Sequence, residues 1–217
     1  MAKRSTPDRP KPTLVILVRH GQTTTTGTLL PGRAAGLHLS DVGVAQAEAV
    51  AGRLGRIPNV AGIYVSPLER TRETAAPIAK ALGVKPTINR GLLECDFGDW
   101  TGRKLADLMK LPEWSTVQNT PSRFRFPGGE SFTEMQARMV GAIDALVTRH
   151  PGGTVICVSH ADPIKAAVAH ASGSHLDVFQ RIVISPCSVT PILMGTGPPV
   201  VLAVNSTGDD LTSLAPS

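Results

Sequence analysis

The stretch "LVILVRHGQT", residues 14–23, decides the fold of this chain. Its first five residues are apolar without interruption, which is typical of a strand that is buried on both faces of a parallel sheet. The apolar run then ends abruptly in Arg19, His20 and Gly21. A buried strand that stops in a guanidinium and an imidazole either leaves the core for solvent or delivers those groups to a site.

Strands and helices alternate along the rest of the chain. The pattern predicts further strands at 61–65 and 153–160, and helices at 40–57, 68–82 and 162–171. The sequence Ser131-Phe-Thr-Glu134 is a capping box that begins another helix. Strands near 181–185, 188–193 and 199–204 complete the body. This alternation predicts an α/β fold: a three-layer sandwich with a mostly parallel central sheet flanked by helices.

Length and composition predict one domain with two tails. The chain has 217 residues, of which 41% are hydrophobic, and this suits a single domain with a sizeable core. We expect a disordered basic tail at residues 1–13, the domain at 14–203 and a polar tail at 204–217. The segment 111–130 is rich in proline and polar residues and is expected to form a lid-like excursion over the site. A packed surface loop is the alternative for this segment.

The composition argues against several classes of partner. The net charge is +5, but aromatic residues make up only 4% and no basic run is interleaved with them, so no nucleic-acid partner is expected. No run of about 18 apolar residues occurs, so no membrane span is expected. The three cysteines are far apart, which indicates neither a disulfide framework nor a metal site and favours a cytoplasmic location. The oligomeric state stays open, with a homodimer among the alternatives.

The ends of three predicted strands gather groups that suit phosphoryl chemistry. Ligands of open α/β sheets bind beyond the carboxyl ends of the strands. There the first strand presents Arg19 and His20, the second is followed by Arg70, and the third ends in His160. Arginine offers a fork of donors matched to phosphate oxygens, and a histidine can attack phosphorus covalently. Two histidines could also share a metal ion, but the arginines would repel a cation, so no metal or other cofactor is expected.

Four motifs give the chain a resemblance to a known family. They are "LVRHGQT", "SPLERTRETA", "LLECDFGDWTG" and "VSHADPIK", and they fall between residues 14 and 170. In this order and spacing they resemble the histidine phosphatase superfamily, also called the phosphoglycerate mutase-like superfamily. The segments "FPGGES" and "HLDVFQRIVISP" further resemble a bacterial branch described as phosphomutase or phosphatase. The resemblance implies a phosphoglycerate mutase-like fold and a histidine acid-type phosphatase, a phosphoric monoester hydrolase.

The resemblance also implies roles for individual residues. His20 matches the nucleophile that becomes phosphohistidine. Arg19, Arg70 and His160 match residues that line the phosphate pocket. Glu94 lies where the family has its proton donor. The resemblance therefore implies a catalytic set of five side chains.

Other residues are alternative proton donors or are expected to contact the substrate. Asp96 and Asp99 are rivals of the proton donor, although both are expected to be solvated loop carboxylates. Further residues are expected at the substrate: Gln22, Thr26, Arg33, Ala161 and Asp162. Thr26 stands where the family often has an asparagine that contacts phosphate, and Ala161 where it usually has glycine. These departures bear on specificity rather than on the chemistry.

We therefore expect hydrolysis of a small phosphorylated substrate through a phosphohistidine at His20, without a metal ion. Two alternatives stay open: a phosphomutase that returns the phosphoryl group to a second hydroxyl, and a non-catalytic binder of phosphoryl ligands. A mutase has to grip a second anionic group, which Arg123 and Arg125 would supply if the 111–130 segment folded inward. Asp162 would repel a substrate carboxylate if it points into the site. The sequence does not identify the ester.

Overall fold

A computed structural model describes residues 11–208 of the chain, so most of each predicted tail lies outside the described residues. The strands are β1 (Thr13–Arg19), β2 (Val60–Val65), β3 (Pro86–Ile88), β4 (Thr154–Ser159), β5 (Val189–Met194) and β6 (Val200–Val201). The α-helices are α1 (Asp41–Leu54), α2 (Glu69–Leu82), α3 (Leu105–Leu108), α4 (Trp114–Asn119), α5 (Phe132–Arg149) and α6 (Ala161–Ala171). Short 3-10 helices lie at Arg90–Leu92, Gly98–Trp100, Pro121–Arg123 and Leu176–Arg181.

The strands form one sheet in the order β3-β2-β4-β1-β5-β6. Strands β1 to β4 are parallel, β5 is antiparallel to β1, and β6 is antiparallel to β5. Among the described strands, β5 alone therefore runs in the opposite direction. Strand β1 lies between β4 and β5, which explains why residues 14–18 are apolar throughout and buried. The predicted, mostly parallel sheet is confirmed.

Helices cover both faces of this sheet. Side chains alternate between the faces along β1, so Leu14 and Ile16 pack in the core beneath α1 and α2. Val15 and Leu17 pack in the core beneath α5 and α6. The predicted three-layer α/β sandwich is confirmed. Within residues 11–208, no helix has the length and apolar character needed to cross a membrane.

Local capping contacts define the ends of three helices. The Ser40 hydroxyl accepts a hydrogen bond from the Gly43 amide at 3.2 Å and caps α1. The predicted capping box is present, since Ser131 and Glu134 bond each other's main chain at the start of α5. Helix α2 ends at Gly83, whose φ of 66° is left-handed and therefore favours glycine.

Two predictions about the end of the chain are wrong. The strand predicted near 181–185 is absent, because the preceding residues form a 3-10 helix and the chain then turns towards β5. The strand predicted at 199–204 is reduced to the two residues of β6. Ser206 pairs with Val189 through both main-chain bonds at 2.9 Å, so the predicted tail at 204–217 begins attached to the sheet.

The segment 111–130 packs against the body instead of forming a lid. It contains α4 and a 3-10 turn, and its aromatic side chains join a third apolar cluster. The ring centroids of Trp114 and Trp100 are 6.4 Å apart, and those of Phe124 and Phe126 are 5.0 Å apart. Packing of these rings fixes the segment against the body. None of its residues lines the cavity described below, so the expected lid is wrong and the packed-loop alternative applies.

Candidate active site

Four of the predicted site residues meet at the carboxyl ends of the central strands. Arg19 ends β1, His20 follows it, and His160 follows β4. Arg70 lies in the first turn of α2, just beyond β2. The His20 amide donates to the carbonyl of Ser159 at 3.0 Å, which joins the ends of β1 and β4. The two imidazole rings lie 5.2 Å apart, centroid to centroid.

Gly21 lets helix α1 approach the end of β1 closely. A Cβ atom at Gly21 would lie 2.6 Å from the carbonyl oxygen of Gly43, and one at Gly43 would lie 2.0 Å from that of Gln22. The Gly21 amide donates to the hydroxyl of Thr74 at 3.0 Å, and this hydroxyl donates to the Arg70 carbonyl at 2.7 Å. These contacts fix the loop after β1 against the first turn of α2.

The His20 ring is held with one nitrogen free to act as a nucleophile. Nδ1 lies 2.7 Å from the Gly21 carbonyl and therefore carries the proton that it donates. Nε2 accepts from Nε of Arg70 at 3.3 Å. Burial, and then the charges of Arg70 and Arg19, lower the pKa of His20 to about 3. The ring is therefore neutral near pH 7, and its lone pair resides on Nε2.

Arg70 bridges the two histidines. Its Nη2 donates to Nδ1 of His160 at 3.3 Å, while Nε2 of that ring lies 2.8 Å from the hydroxyl of Ser66. Nδ1 of His160 is also 4.0 Å from Oε2 of Glu94. Burial first, and then Arg70 and His20, hold the pKa of His160 well below its ordinary value. Both imidazoles are therefore neutral around one fixed guanidinium.

The two arginines present buried donors without partners. Arg70 is fully buried, and Arg19 uses Nη1 to bond the carbonyl of Ile184 at 2.6 Å. Among the described residues, no acceptor bonds the buried Nε of Arg19 or the buried Nη1 of Arg70. Burial lowers the pKa of both guanidiniums. Buried charged donors left unsatisfied are costly, so the arrangement fits a site that binds an anion.

Glu94 is the carboxylate that lies beside the histidines. It is only 8% exposed, and burial, followed by the negative charge of Asp162, raises its pKa to about 7. A carboxyl with this pKa can both donate and accept a proton near neutral pH. Of its two rivals, Asp96 pairs with an arginine and Asp99 is exposed, and neither lines the cavity.

Arg33, predicted to bind substrate, holds the Glu94 segment in place instead. Its Nε donates to the Glu94 carbonyl at 2.8 Å, and its Nη2 donates to Oε2 of Glu130 at 2.9 Å. Arg138 bonds both oxygens of the same Glu130 carboxylate, at 2.8 and 2.9 Å, and donates to the Gly91 carbonyl at 2.8 Å. Two arginines that share one carboxylate thus hold the main chain at Gly91 and at Glu94.

A cavity of about 410 Å³ opens beside these groups. Arg19, His20 and Glu94 line it, as do three of the predicted substrate residues: Thr26, Ala161 and Asp162. Four other predicted site residues are not among the lining residues: Gln22, Arg33 and the fully buried Arg70 and His160. Sequence reasoning missed three polar lining residues, Thr23, Lys165 and Gln180. It also missed an apolar wall formed by Leu29, Leu30, Pro31, Phe97, Leu105, Ile182, Val183 and Ile184. The described residues contain no group of three or more potential metal ligands.

A comparison with protein-family models agrees with this geometry. Residues 15–207 match the model described as histidine phosphatase superfamily, branch 1. The chain belongs to the histidine phosphatase superfamily. This confirms the resemblance inferred from the four motifs.

Relatives of this superfamily member include curated proteins and solved structures. A bifunctional protein of Mycobacterium tuberculosis is 32% identical over 202 residues, which are 92% of this chain and 56% of that protein. The chain thus spans a little more than half the length of the first curated relatives it matches. Phosphoserine phosphatase 1 of Hydrogenobacter thermophilus is 33% identical over 198 residues, or 89% of this chain and 92% of that one. YhfR of Bacillus stearothermophilus superposes with a TM-score of 0.84 at 25% identity, covering 91% of this chain and 98% of that one. This similarity confirms the predicted phosphoglycerate mutase-like fold.

Proposed function

We propose that this superfamily member hydrolyses phosphate monoesters through a phosphohistidine on His20, without a metal ion. One observation carries the proposal: the unprotonated Nε2 of His20 and the buried carboxyl of Glu94 belong to the same cavity, beside arginine donors that lack acceptors. The family, and a relative named as a phosphoserine phosphatase, support the same chemistry.

The first step is binding of the phosphate dianion. Nε of Arg19 and Nη1 of Arg70 are the buried donors that its oxygens would satisfy. The amide at Ala161 adds a donor at the N-terminus of α6, where the helix dipole favours an anion. These groups would stabilise the charge that spreads over the equatorial oxygens during transfer.

The second step transfers the phosphoryl group to His20. The Nε2 lone pair forms a bond to phosphorus while the ester P–O bond breaks. Glu94 donates its proton to the departing oxygen, which leaves as an alcohol. The Gly21 carbonyl, 2.7 Å from Nδ1, stabilises the positive charge that the ring acquires.

The third step releases phosphate. Glu94, now ionised, removes a proton from water, and the water oxygen bonds to phosphorus as the bond to Nε2 of His20 breaks. Inorganic phosphate leaves, and the carboxyl is protonated again. The raised pKa of Glu94 suits both halves of this cycle, because the group must exchange its proton near neutral pH.

The proposal extends to the type of phosphatase, its substrate class and its cellular location. We infer a histidine acid-type phosphatase that acts on a small phosphorylated substrate. The three cysteines are buried and free, which supports a reducing, cytoplasmic location.

A mutase is the alternative that the site must be tested against. Such an enzyme needs positive charge to bind a second anionic group, and the sequence offers Arg123 and Arg125 for this role. Arg125 instead bonds the Glu134 carboxylate and the Gly129 carbonyl, and neither arginine lines the cavity. This arrangement supports hydrolysis.

The fate of labelled phosphohistidine distinguishes the two reactions. We expect enzyme labelled with radioactive phosphate to release the label as inorganic phosphate when 3-phosphoglycerate is present. Parallel reactions with and without EDTA should run at the same rate, because the arginines occupy the role of a metal ion. Efficient transfer of the label into phosphoglycerates, with little hydrolysis, would establish a mutase. Loss of all activity in EDTA would contradict the metal-independent mechanism.

Glu94→Gln should reduce kcat/KM for an alkyl phosphate by about 100-fold or more, the usual contribution of a general acid. It should affect p-nitrophenyl phosphate far less, because nitrophenolate leaves without a proton. In the wild type, kcat/KM for the alkyl ester should fall as the pH rises above about 7, since Glu94 must be protonated for this step. That alkaline decrease should be absent in the variant.

Asp99→Asn is the matched control, because it removes a neighbouring carboxylate that is exposed and lies outside the cavity. It should leave both esters unaffected. Equal losses on the alkyl and nitrophenyl esters in Glu94→Gln would assign the acid role to another group.

A further inference from the structure

The cavity contains an ion pair whose two members take no direct part in the proposed proton and phosphoryl transfers. Lys165 lies one turn after Asp162 on α6, and its Nζ is 3.3 Å from Oδ1 of Asp162. The same Nζ is 3.1 Å from Oε1 of Gln180. The two charged side chains are only 17% and 18% exposed, so their attraction is less screened than that of a surface pair. The positive charge of Lys165 is therefore neutralised at the cavity wall.

The charges at the cavity balance one phosphate group and no second anion. Arg19 and Arg70 supply two positive charges, which match a phosphate dianion while Glu94 is protonated. Lys165 and Asp162 cancel each other. The Asp162 carboxylate would thus repel a carboxylate or second phosphate on the alcohol, and no further unpaired cation among the lining residues would bind that second anionic group.

Other cations near the cavity do not change this balance. Arg33 is engaged by Glu130 and the main chain. Arg103, Lys104 and Arg181 are exposed and are not among the residues that line the cavity. Charges in this position are screened by water and salt, so they bind a second anion only weakly.

Most of the remaining wall is apolar, with the uncharged polar side chains of Thr23, Thr26 and Gln180 beside it. It includes Leu29, Leu105 and the chain from Ile182 to Ile184, and Val183 there is 65% exposed. The volume of about 410 Å³ lies within the usual range for small-molecule pockets, about 300–1,000 Å³, so the cavity has room for the alcohol part as well as for the phosphate. An apolar wall removes water from whatever part of the substrate it covers, and this penalises a charged group.

We propose, on the basis of the proposed function, that the preferred substrates are phosphate monoesters whose alcohol part carries no net charge. Asp162 selects against anionic alcohols by repelling them and by holding Lys165. The apolar wall packs against the uncharged carbon skeleton. The ion pair is thus a specificity element, separate from the groups that transfer the phosphoryl group.

A pair of matched esters tests this proposal. Glycerol 3-phosphate and 3-phosphoglycerate differ in a hydroxymethyl group that is replaced by a carboxylate. We expect wild-type kcat/KM to favour glycerol 3-phosphate by about tenfold or more, as for other like-charge contacts that exclude a wrong partner. Asp162→Asn frees Lys165 to bind the carboxylate, so the ratio should fall by about tenfold or invert. Both leaving groups are primary alcohols, so any effect of the variant on Glu94 cancels in the ratio.

Two further variants separate the local pair from general effects. Asp144→Asn makes the same change of net charge at an exposed position on α5 outside this cavity, and should leave the ratio unchanged. Lys165→Met leaves Asp162 unpaired and should increase the preference for glycerol 3-phosphate. O-phosphoserine, whose alcohol part is a zwitterion without net charge, should be used more efficiently than 3-phosphoglycerate by the wild type.

The outcomes separate this inference from the function on which it rests. A wild-type preference for 3-phosphoglycerate, or a ratio unaffected by both Asp162→Asn and Lys165→Met, would overturn the selectivity while hydrolysis stands. Failure of the wild type to hydrolyse any of these esters or p-nitrophenyl phosphate would instead overturn the proposed function.

Discussion

Replacement of His20 by alanine is expected to abolish turnover, with a loss of about four orders of magnitude or more, as when other covalent nucleophiles are removed. The neutral Nε2 beside Arg70 is the nucleophile that the structure offers at the anion site. Wild-type protein quenched during turnover of labelled substrate should carry phosphate that is labile in acid and stable in base, and the variant should carry none. Initial rates on p-nitrophenyl phosphate and the retained label are the two measurements.

His170→Ala is the matched control for this experiment. His170 is an exposed histidine in the last turn of α6, far along the helix from the site, and its removal should leave both readouts unchanged. Activity of His20→Ala above the level of contaminating phosphatase would refute the covalent mechanism. Phosphate attached through an acid-stable bond would place the nucleophile elsewhere.

The sheet and the grouping of side chains at its edge could be predicted because the signals are local. An apolar run that stops in Arg19 and His20 indicates a buried strand with a functional end, and Ser159 and His160 repeat that pattern in β4. Carboxyl ends of parallel strands share one edge, so topology alone brings these groups together. The structure places His20 and His160 side by side, as this reasoning requires.

The surroundings of Glu94 could not be predicted, because they depend on long-range pairing. Arg33 and Glu130 are 97 residues apart in sequence, and no local pattern indicates that they bond each other. An arginine near a phosphate site suggests a substrate contact, whereas Arg33 bonds the carbonyl of Glu94. The motif "FPGGES" contains Glu130, and its match to a family segment was the available signal.

The residues that form the cavity wall could be predicted only in part from the sequence. Lys165 follows Asp162 by three residues, and on a helix this spacing predicts a contact, so this part of the wall carried a usable signal. Gln180 comes from a segment where a strand was expected nearby and a 3-10 helix formed. The proline-rich and polar composition of 111–130 suggested a lid, but the aromatic residues at 114, 124 and 126 pack into an apolar cluster of the body.

Replacing Arg70 is the second change with a large expected effect. Arg70→Ala should lower kcat/KM, with a loss of transition-state stabilisation of about 3–4 kcal/mol. Losses of this size follow the removal of a preorganised oxyanion donor. Arg70 offers the buried Nη1 to the anion and donates to both His20 and His160, so one substitution removes a phosphate donor and the bridge between the rings. Because the side chain is fully buried, the melting temperature is measured alongside, and Arg70→Lys serves as a second variant that keeps the charge.

The pH profile distinguishes a catalytic role of Arg70 from a purely structural one. Its charge lowers the pKa of His20, so without it that pKa rises towards the ordinary value and the ring is protonated over more of the acidic range. His20 attacks only when neutral, so the acid limb of kcat/KM should move to higher pH in Arg70→Ala and less so in Arg70→Lys. Added guanidinium should restore part of the activity of the alanine variant, whereas the exposed neighbour Arg72→Ala should behave as wild type. A folded Arg70→Ala protein with an unshifted acid limb and near-normal kcat/KM would remove Arg70 from the anion site and leave Arg19 as the principal phosphate donor.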